Sequence, residues 1–351
     1  MAAISPFETD NRGRPVSPAE VRTDRGRRIV LLPVMTFPGH RNNLYWIESE
    51  GGGILFDVGT PYGNAELERQ VAAANSSFGT AIDLDRLQLA VLSHAHIDHF
   101  GNAQRFRDAG VPIAIHELDA RVLECFVERL MLASRDVGIF LRQAGVREEV
   151  TARLLKVYRF EKTIFRELAP DIRLRGEDRI DETLRLLHVP GHCPGMICLA
   201  VDDVILTADH LLSRITPTIS PQSITPFSGL EHYLRSLERL RRFDTFALGL
   251  GGHEAPVPDV HRRIDECVAH HTARLQRVEA LCETPRTIAE LSQTMFGEQK
   301  GYGILLALLE AGAHVEYLHQ LGRLTIANID DVADRFDLPV LYQNKLEAAT
   351  I

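Results

Sequence analysis

The segment SHAHIDHFGN at residues 93–102 holds four metal-binding side chains within six positions: His94, His96, Asp98 and His99. Imidazole and carboxylate groups together are the ligands that first-row divalent metals select. His94 and His96, two positions apart in a near-extended loop, can point the same way into one metal. Asp98 and His99 lie at the turn into a predicted helix, so they can point into a neighbouring position. The segment therefore predicts a metal site.

Four ligands from one loop cannot complete two metal positions, so partners are required elsewhere in the chain. Three candidates each follow an apolar run that predicts a strand: His192 in HVPGHCPGM, Asp209 in ILTADHLL and His253 in LGLGGHEAP. The glycines beside His192 let the backbone approach a metal closely. Asp209 ends its strand with a carboxylate, a group suited to bridging two cations.

These candidates depend on the strands that position them. Short apolar runs with β-branched and aromatic residues, separated by Gly and Asn, predict successive strands. The runs are RIVLLPVMTF, NNLYWIES, GGILFDVGTP, LQLAVLS, LRLLHVPG, MICLAV, VILTAD and TFALGLGG. Helical spacing occurs between them, in NAELERQVAAAN and again from Ser228 to Arg241. Strands followed by helices, with polar groups at the strand ends, predict an α/β fold with sheets sandwiched between helices.

Two segments have a helical pattern instead. Residues 118–168 are rich in large apolar side chains and predict a helical insertion. Beyond residue 256 the pattern is again helical, with a capping box at Thr287 and Glu290. Three helices followed by a small hairpin are the outline of a winged helix. We therefore predict a mobile N-terminal arm over residues 1–27, a main domain over 28–256 that contains the insertion, and a C-terminal winged-helix-like domain over 257–351.

The order of the motifs resembles that of the metallo-β-lactamase superfamily of hydrolases. HxHxDH is followed by GH within PGHxPG, by an aspartate closing an apolar strand and by a late Gly-Gly-His. The resemblance extends from about residue 28 to residue 256, and the early strand ILFDVGTP, with Asp57 and Gly59, is also similar. It implies an αββα metallo-β-lactamase sandwich for the main domain. The C-terminal region is similar to the winged-helix domain of one branch, which includes thioesterase-like and ribonuclease-like proteins.

The resemblance also implies a ligand set for two divalent metal ions. His94, His96 and His192 would hold the first metal, Asp98, His99 and His253 the second, and Asp209 would bridge them. Zinc is the first expectation, with iron or manganese admissible, because this ligand set does not select sharply among them. In GGHEAP, Glu254 stands where many relatives have Gly, which leaves His253 intact and is expected to alter the rim of the site.

This ligand set predicts a hydrolase. Two adjacent divalent metals would share a bridging water and lower its pKa from 15.7 to roughly 7. The resulting hydroxide would attack an electrophilic carbonyl or phosphorus atom. Asp98 is the catalytic candidate, because it can orient this nucleophile while binding the second metal. Cys193 adjoins a predicted ligand, but we expect no ligand role for it, since the histidines already fill the sites.

The apolar insertion bears on the substrate. If its aromatic residues form a wall beside the metals, the substrate is a small ester, thioester or lactone with an apolar portion. Phe126, Phe140 and His210, which follows Asp209, are the candidate substrate-binding residues. The same aromatic side chains could instead form the core of the insertion or a contact in a homodimer.

Two other functions remain open at this point. One is metal-dependent cleavage of RNA, and the other is a winged-helix nucleic-acid-binding protein with a vestigial metal fold. The formal net charge of −9 argues against a nucleic-acid or membrane partner, because phosphate contacts need a basic surface. The helix that would read nucleic acid carries Glu310 and Glu316 and has no Lys or Arg before Arg323.

Composition and cysteine content predict the type of protein and its cellular compartment. Hydrophobic residues make up 45% and charged residues 25% of the 351 residues, as in globular proteins with a sizeable core. The polar N-terminal segment lacks the apolar core of a signal peptide, and no apolar run reaches the roughly 18 residues of a membrane span. The five cysteines contain no CxxC motif. They predict reduced thiols in a cytoplasmic protein.

Overall fold

The computed structural model describes residues 2–161, 165–180, 183–335 and 337–345, and within these ranges the strands form two large sheets and one small one. The first sheet runs in chain order through β1 (Ala3–Ile4), β2 (Ala19–Arg22), β3 (Arg28–Phe37), β4 (His40–Ile47), β5 (Ile54–Phe56), β6 (Leu89–Leu92), β7 (Ile113–His116) and β8 (Ile172–Leu174). Strands β1 to β5 pair antiparallel, and β5 to β8 pair parallel. Side chains of β3, β5, β6 and β7 are almost all buried, as expected for strands covered on both faces.

The second sheet contains β9 (Leu184–His188), β10 (Ile197–Val201), β11 (Val204–Ala208) and β12 (Leu248–Gly251), in the order β12-β11-β10-β9. The pair β11–β12 is parallel, while β9 and β11 are antiparallel to β10. Hydrogen bonds join the two sheets: the Asn43 amide nitrogen donates to the Gly252 carbonyl at 2.7 Å, and the Tyr45 hydroxyl donates to the Gly251 carbonyl at 2.6 Å. These bonds therefore connect the two sheets next to the turn that carries His253.

Helices make up the rest of the regular structure. Those of the described ranges are α1 (Asn64–Phe78), α2 (Ile97–Phe100), α3 (Ala103–Asp108), α4 (Glu117–Glu124), α5 (Phe126–Gln143), α6 (Glu148–Glu161), α7 (Leu230–Phe243), α8 (Val260–Leu281), α9 (Ile288–Phe296), α10 (Gly303–Gln320) and α11 (Ile329–Val332). α1 packs on β3, and α7 donates from Ser236 Oγ to the Pro190 carbonyl just after β9. The predicted α/β sandwich is confirmed. None of these helices, within the described ranges, combines the length and apolar character that a membrane crossing requires.

The prediction of a mobile arm over residues 1–27 is wrong. β2 pairs with β3 through Ala19–Leu31 and three further residue pairs, and β1 pairs with β2. Ala19 and Val21 are fully buried. The polar sequence did not predict this strand because β2 has only four residues. The strand forms because it can pair with the edge of β3, and that depends on the partner strand rather than on the sequence pattern of β2.

The chain divides into two compact units whose boundaries differ from the predicted domains. The first unit ends at Phe126, resumes over Phe165–Pro217 and continues over Arg235–Asp265. The second is built from three segments that begin at Val127, Thr218 and Glu266, so most of the insertion belongs with the C-terminal helices. Backbone hydrogen bonds between the insertion and the C-terminal segment explain this grouping.

Two of these bonds leave the turn after α5. The Ala289 nitrogen donates to the Ala144 carbonyl and the Val340 nitrogen to the Gln143 carbonyl, each at 2.8 Å. The predicted capping box of α9 is present, with Thr287 Oγ1 accepting from the Glu290 nitrogen at 3.2 Å. The second unit also contains an antiparallel pair, β13 (Leu324–Ile326) and β14 (Tyr342–Asn344), with α11 between the two strands in sequence.

A polar network occupies the interior of the second unit between α8 and α10. Glu310 accepts hydrogen bonds from Arg274 Nη1 at 2.6 Å and from the Ile219 nitrogen at 2.7 Å. His314 donates from Nδ1 to the Glu310 carbonyl at 2.7 Å, and its Nε2 lies 3.1 Å from His271 Nδ1. Both histidines are fully buried. Burial therefore lowers the pKa of both histidines and favours their neutral forms.

We expect the His314→Gln variant to lose less stability than the unmodified chain as the pH falls from 6.5 to 5. Burial lowers the pKa of His314 from 6.5 to about 4, so its contribution is present above pH 6.5 and is lost as the pH falls toward 4. The loss is about 1.4 kcal/mol per pH unit. Over this window the difference between the two proteins should approach about 2 kcal/mol in urea unfolding.

The matched control is His319→Gln, which changes an exposed histidine on the same helix. Burial raises the pKa of Glu310 to about 7, but this carboxyl is present in all three proteins and largely cancels in the comparison. Equal losses in the His314 variant and the unmodified chain would show that His314 protonation does not limit stability in acid.

Candidate metal centre

The predicted ligands lie where parallel strands end. β5 and β6 are parallel and are followed directly by Asp57 and by Ser93-His94, while β11 and β12 are parallel and are followed by Asp209 and by the turn to His253. The carboxyl ends of parallel strands meet at one edge of a sheet, where open α/β sheets bind their ligands. The fold thus brings segments far apart in sequence to one place.

The three histidines predicted to bind the first metal lie side by side. The ring centroids of His94, His96 and His192 lie 4.7, 4.4 and 5.2 Å apart. His94 Nε2 and His192 Nε2 lie 4.0 and 3.7 Å from Asp209 Oδ2. One ligand atom from each histidine, together with Cys193, falls within a group whose members are all within 4.8 Å of one another. The three predicted first-metal ligands are therefore adjacent.

The residues predicted to bind the second metal adjoin these three. His99 Nε2 lies 3.4 Å from both Asp98 Oδ2 and Asp209 Oδ1. His253 Nε2 lies 3.5 Å from Asp98 Oδ2 and 3.4 Å from Asp209 Oδ2. Asp209 is thus in reach of histidines from both positions, as a bridging carboxylate must be. The structure brings all seven sequence-predicted ligand candidates together.

Hydrogen bonds behind the imidazole rings determine which nitrogen faces the site. Ser93 Oγ donates its only hydrogen to Asp57 Oδ2 at 2.8 Å, so it accepts from His94 Nδ1 at 2.9 Å. His99 Nδ1 donates to Asp57 Oδ2 and His253 Nδ1 donates to the Arg41 carbonyl, both at 2.8 Å. In each ring Nδ1 is committed at the rear and Nε2 faces the cluster. Metal-binding histidines are oriented by this kind of rear partner.

The surroundings of His94 Nε2 indicate whether this site suits a cation. Burial, and then the neighbouring His99, hold the pKa of His94 well below its usual value, so the ring is neutral. Its Nδ1 carries the hydrogen, which leaves an unshared electron pair on Nε2. Among the residues that the structure describes, this buried atom has no hydrogen-bond partner. A buried lone pair facing the Asp209 carboxylate and further imidazoles fits a divalent metal.

The charges of the site favour a cation as well. Burial alone would raise the pKa of Asp209, but His253 and His99 outweigh it and hold that pKa well below its usual range. Burial would lower the pKa of His253, yet Asp209 and Asp98 raise it to about 10. Asp209 therefore remains ionised in a buried location, which favours positive charge beside it.

A further buried carboxylate, which the sequence analysis did not identify, joins the His94–His96 loop to the His192 loop. Asp119 on α4 is 1% exposed; its Oδ2 accepts from the Ala95 nitrogen and its Oδ1 from the Gly195 nitrogen, both at 2.8 Å. Gly195 has no room for a side chain, because a Cβ there would lie 2.6 Å from Asp119 Cγ. Asp119 thus sets the spacing of the His94–His96 loop and the His192 loop. Its sequence surroundings, HELDA, gave no sign of this.

Asp98 has two further neighbours that the sequence analysis did not identify. His40 Nε2 lies 3.0 Å from Asp98 Oδ2, and Asn42 Nδ2 donates to the same oxygen at 3.0 Å. The His40 side chain is 49% exposed, whereas Asn42 is fully buried. Both residues lie at the start of β4. The strand pattern of this segment predicts a strand but gives no indication that its first residues contact the site. Asn42 therefore restrains Asp98 from inside, and His40 adjoins it at the solvent side.

The candidate substrate-binding residues are buried. Phe126 is 3% exposed and packs edge-on against Phe100 of α2 and Phe165, so it supports the ligand loop from inside the first unit. Phe140 belongs to the second unit, where its ring fills the space beside Gly312 of α10. His210 is fully buried, and burial lowers its pKa to about 3. None of the three side chains presents a surface to substrate in this structure.

Glu254 does not alter the rim, contrary to expectation. It is 6% exposed and accepts hydrogen bonds from the Arg214 and Ile215 nitrogens at 2.9 and 3.2 Å. Its carbonyl accepts from Asn43 Nδ2 at 2.8 Å. The residue takes a φ of 65°, a conformation that favours glycine, and these bonds offset that cost. Glu254 therefore secures the turn that carries His253.

Comparison with known proteins gives the same fold. The sequence profile of the metallo-beta-lactamase superfamily matches residues 38–253, which include all seven candidate ligands. The crystal structure of the metallo-beta-lactamase family protein TTHA1429 from Thermus thermophilus is 27% identical, with a TM-score of 0.70 over 90% of this chain and 98% of its own. The probable metallo-hydrolase YqjP of Bacillus subtilis (strain 168) is 26% identical over 279 residues, which are 75% of this chain and 83% of YqjP. The uncharacterized protein ML0493 of Mycobacterium leprae (strain TN) is 33% identical over 182 residues, which are 49% of this chain and 72% of that protein.

We expect Asp119→Asn to weaken metal binding by about 10- to 100-fold, the usual cost of losing a partner outside the ligand shell. An asparagine oxygen can accept from one of the two backbone N–H groups, but its NH2 group would face the other donor. Competition with a chelator measures the affinity. Asp85→Asn, in an exposed turn, is the control, and unchanged affinity in the Asp119 variant would refute the spacing role.

Proposed function

The chain belongs to the metallo-β-lactamase superfamily, and we propose that it is a dinuclear metal-dependent hydrolase that cleaves a small carbonyl substrate. The observation that carries this proposal is the position of Asp209. Its Oδ2 lies within 4.0 Å of His94 and His192 on one side and 3.4 Å from His253 on the other. A carboxylate shared in this way supports two adjacent cations rather than one.

The superfamily fold implies divalent metal binding, and the donor set supports a specific distribution. His94, His96 and His192 would hold the first metal, Asp98, His99 and His253 the second, with Asp209 shared. We propose zinc, because imidazole suits it, although iron and manganese accept the same donors. When bound, such a metal pair supplies a water whose pKa is lowered from 15.7 to roughly 7.

The residues of the chain would orient that water and exclude others. Asp98 Oδ2 is held by Asn42 and faces His99 and His253, so it can accept a hydrogen bond from the attacking water without turning away. We propose Asp98 as the catalytic residue that aligns the nucleophile. The rear bonds to Asp57 and to the Arg41 carbonyl keep the imidazoles from rotating during the reaction.

The proposed substrate is an ester, thioester or lactone rather than a nucleic acid. A net charge of −9 opposes polyanion binding. If the C-terminal elements are a winged helix, α10 would be the helix that reads nucleic acid, but it is buried along most of its length. Glu310 and Glu316 on this helix accept hydrogen bonds from backbone nitrogens of residues 219, 222 and 223. These acidic groups serve packing within the second unit, and the helix has no exposed basic face.

The first test of the proposal is metal content. Protein from metal-supplemented expression should carry close to two divalent ions per chain, measured by elemental analysis. His94→Ala together with His96→Ala should remove about one of them, since these residues serve only the first position. Fewer than one ion per chain in the unmodified protein would contradict the dinuclear proposal.

The second test is the reaction. The metal-loaded chain should hydrolyse members of a panel of thioesters, esters and lactones. Asp209→Ala should lower kcat/KM by more than about 100-fold, because losing partners outside the ligand shell already costs 10- to 100-fold. Asp85→Ala, in an exposed turn, should retain full activity. RNA cleavage without turnover of any acyl substrate would replace this proposal with the ribonuclease function.

A further inference from the structure

The thiol of Cys193 lies inside the metal cluster, although its chemistry has no part in the function proposed above. Cys193 is 5% exposed, and its Sγ lies 3.4 Å from His96 Nε2. One donor atom from Cys193 and one each from His94, His96 and His192 are all within 4.8 Å of one another. The thiol is therefore close to three imidazole groups at once.

These distances match a coordination shell. In a tetrahedral zinc site the metal–nitrogen and metal–sulfur bonds are about 2.1 and 2.3 Å, which puts the nitrogen and sulfur about 3.6 Å apart. The observed separation of 3.4 Å between His96 Nε2 and Cys193 Sγ is close to that edge. A simple packing contact between the two groups would not require donor atoms of two further histidines to lie within 4.8 Å of the thiol.

A second observation points to a ligand in the same cluster. His94 Nε2 is buried, bears the unshared electron pair and has no hydrogen-bond partner in the described part of the chain. Its partner at the rear, Ser93 Oγ, fixes this assignment because the hydroxyl hydrogen is already donated to Asp57. An acceptor atom prepared in this way belongs to a cation site, and Cys193 adjoins that site.

The turn that carries Cys193 is held in place from two sides. Asp119 accepts from the Gly195 nitrogen at 2.8 Å, and His188 Nε2 lies 2.7 Å from the Pro194 carbonyl. His192 and Cys193 therefore come from one restrained turn, in which neighbouring side chains can face the same centre. Cys198 differs: it lies in the middle of β10, its Sγ bonds to the Thr207 carbonyl at 3.7 Å, and burial raises its pKa far above the usual range.

We propose that Cys193 is a fourth protein ligand of the first metal position, bound through its thiolate. This inference rests on the proposed metal-dependent function and deepens it, because thiolate is a soft donor that favours zinc over manganese. Imidazole and carboxylate donors alone do not determine which divalent metal binds. With Asp209 shared between positions, the chain would offer the first metal five donors.

Cobalt substitution tests the proposal directly. Co²⁺ bound to a thiolate gives an intense near-ultraviolet sulfur-to-cobalt charge-transfer band, which imidazole and carboxylate ligands do not give. The cobalt-loaded chain should show this band, and Cys193→Ser should lack it while keeping the weaker visible bands of cobalt. Cys125→Ser is the matched control, since Cys125 is half-buried beside Arg121 on α4 and should leave the band unchanged.

Metal competition provides a readout that does not depend on the band. Cys193→Ser should reduce the preference for Zn²⁺ over Mn²⁺ by more than the 10- to 100-fold that changes outside the ligand shell cause in metal affinity. A cobalt-loaded chain that hydrolyses acyl substrates but shows no charge-transfer band would overturn the ligand role and leave the hydrolase proposal standing. A chain that binds neither cobalt nor zinc would overturn both.

Discussion

Two buried carboxylates that are not themselves candidate ligands hold the metal-binding loops in place. Asp57 accepts from the Ser93 nitrogen at 2.7 Å and from His99 Nδ1 at 2.8 Å, while Asp119 joins the Ala95 and Gly195 nitrogens. Loops that leave strand ends have unpaired backbone N–H groups, and burying these without partners costs free energy. Charged acceptors satisfy them with stronger bonds than neutral ones. Asp57 even keeps a φ of 64°, a rare conformation that its hydrogen bonds offset.

These anchors explain how a flexible motif becomes a rigid donor set. HxHxDH by itself permits many arrangements of its imidazoles. Once Nδ1 of His94, His99 and His253 is committed to acceptors behind the rings, each Nε2 can face only the cluster. Ligands that are already oriented lose little conformational entropy on binding, so more of the interaction energy appears as affinity.

The sequence predicted the strands of both sheets that carry ligands, and it predicted all seven ligand candidates, because motif order and strand ends are local features. It missed Asp119, since a carboxylate that accepts from the nitrogens of Ala95 and Gly195 leaves no trace in spacing. It missed β7, although IAIH is wholly buried, and it took β2 for part of an arm. It also separated the insertion from the C-terminal helices, because the backbone bonds at Ala144 and Gln143 connect segments more than 140 residues apart in sequence.

The aromatic residues of the insertion show where periodicity stops being informative. A run of large apolar side chains indicates that a surface is buried, but not what buries it. Phe126 is covered by Phe100 and Phe165, and Phe100 lies in α2, within the HxHxDH segment itself. The packing therefore acts on the site indirectly: it fixes the short helix that bears Asp98 and His99. A residue of this kind affects chemistry through the position of the ligands, and trimming it would loosen the ligand candidates of the second metal rather than reshape a substrate pocket.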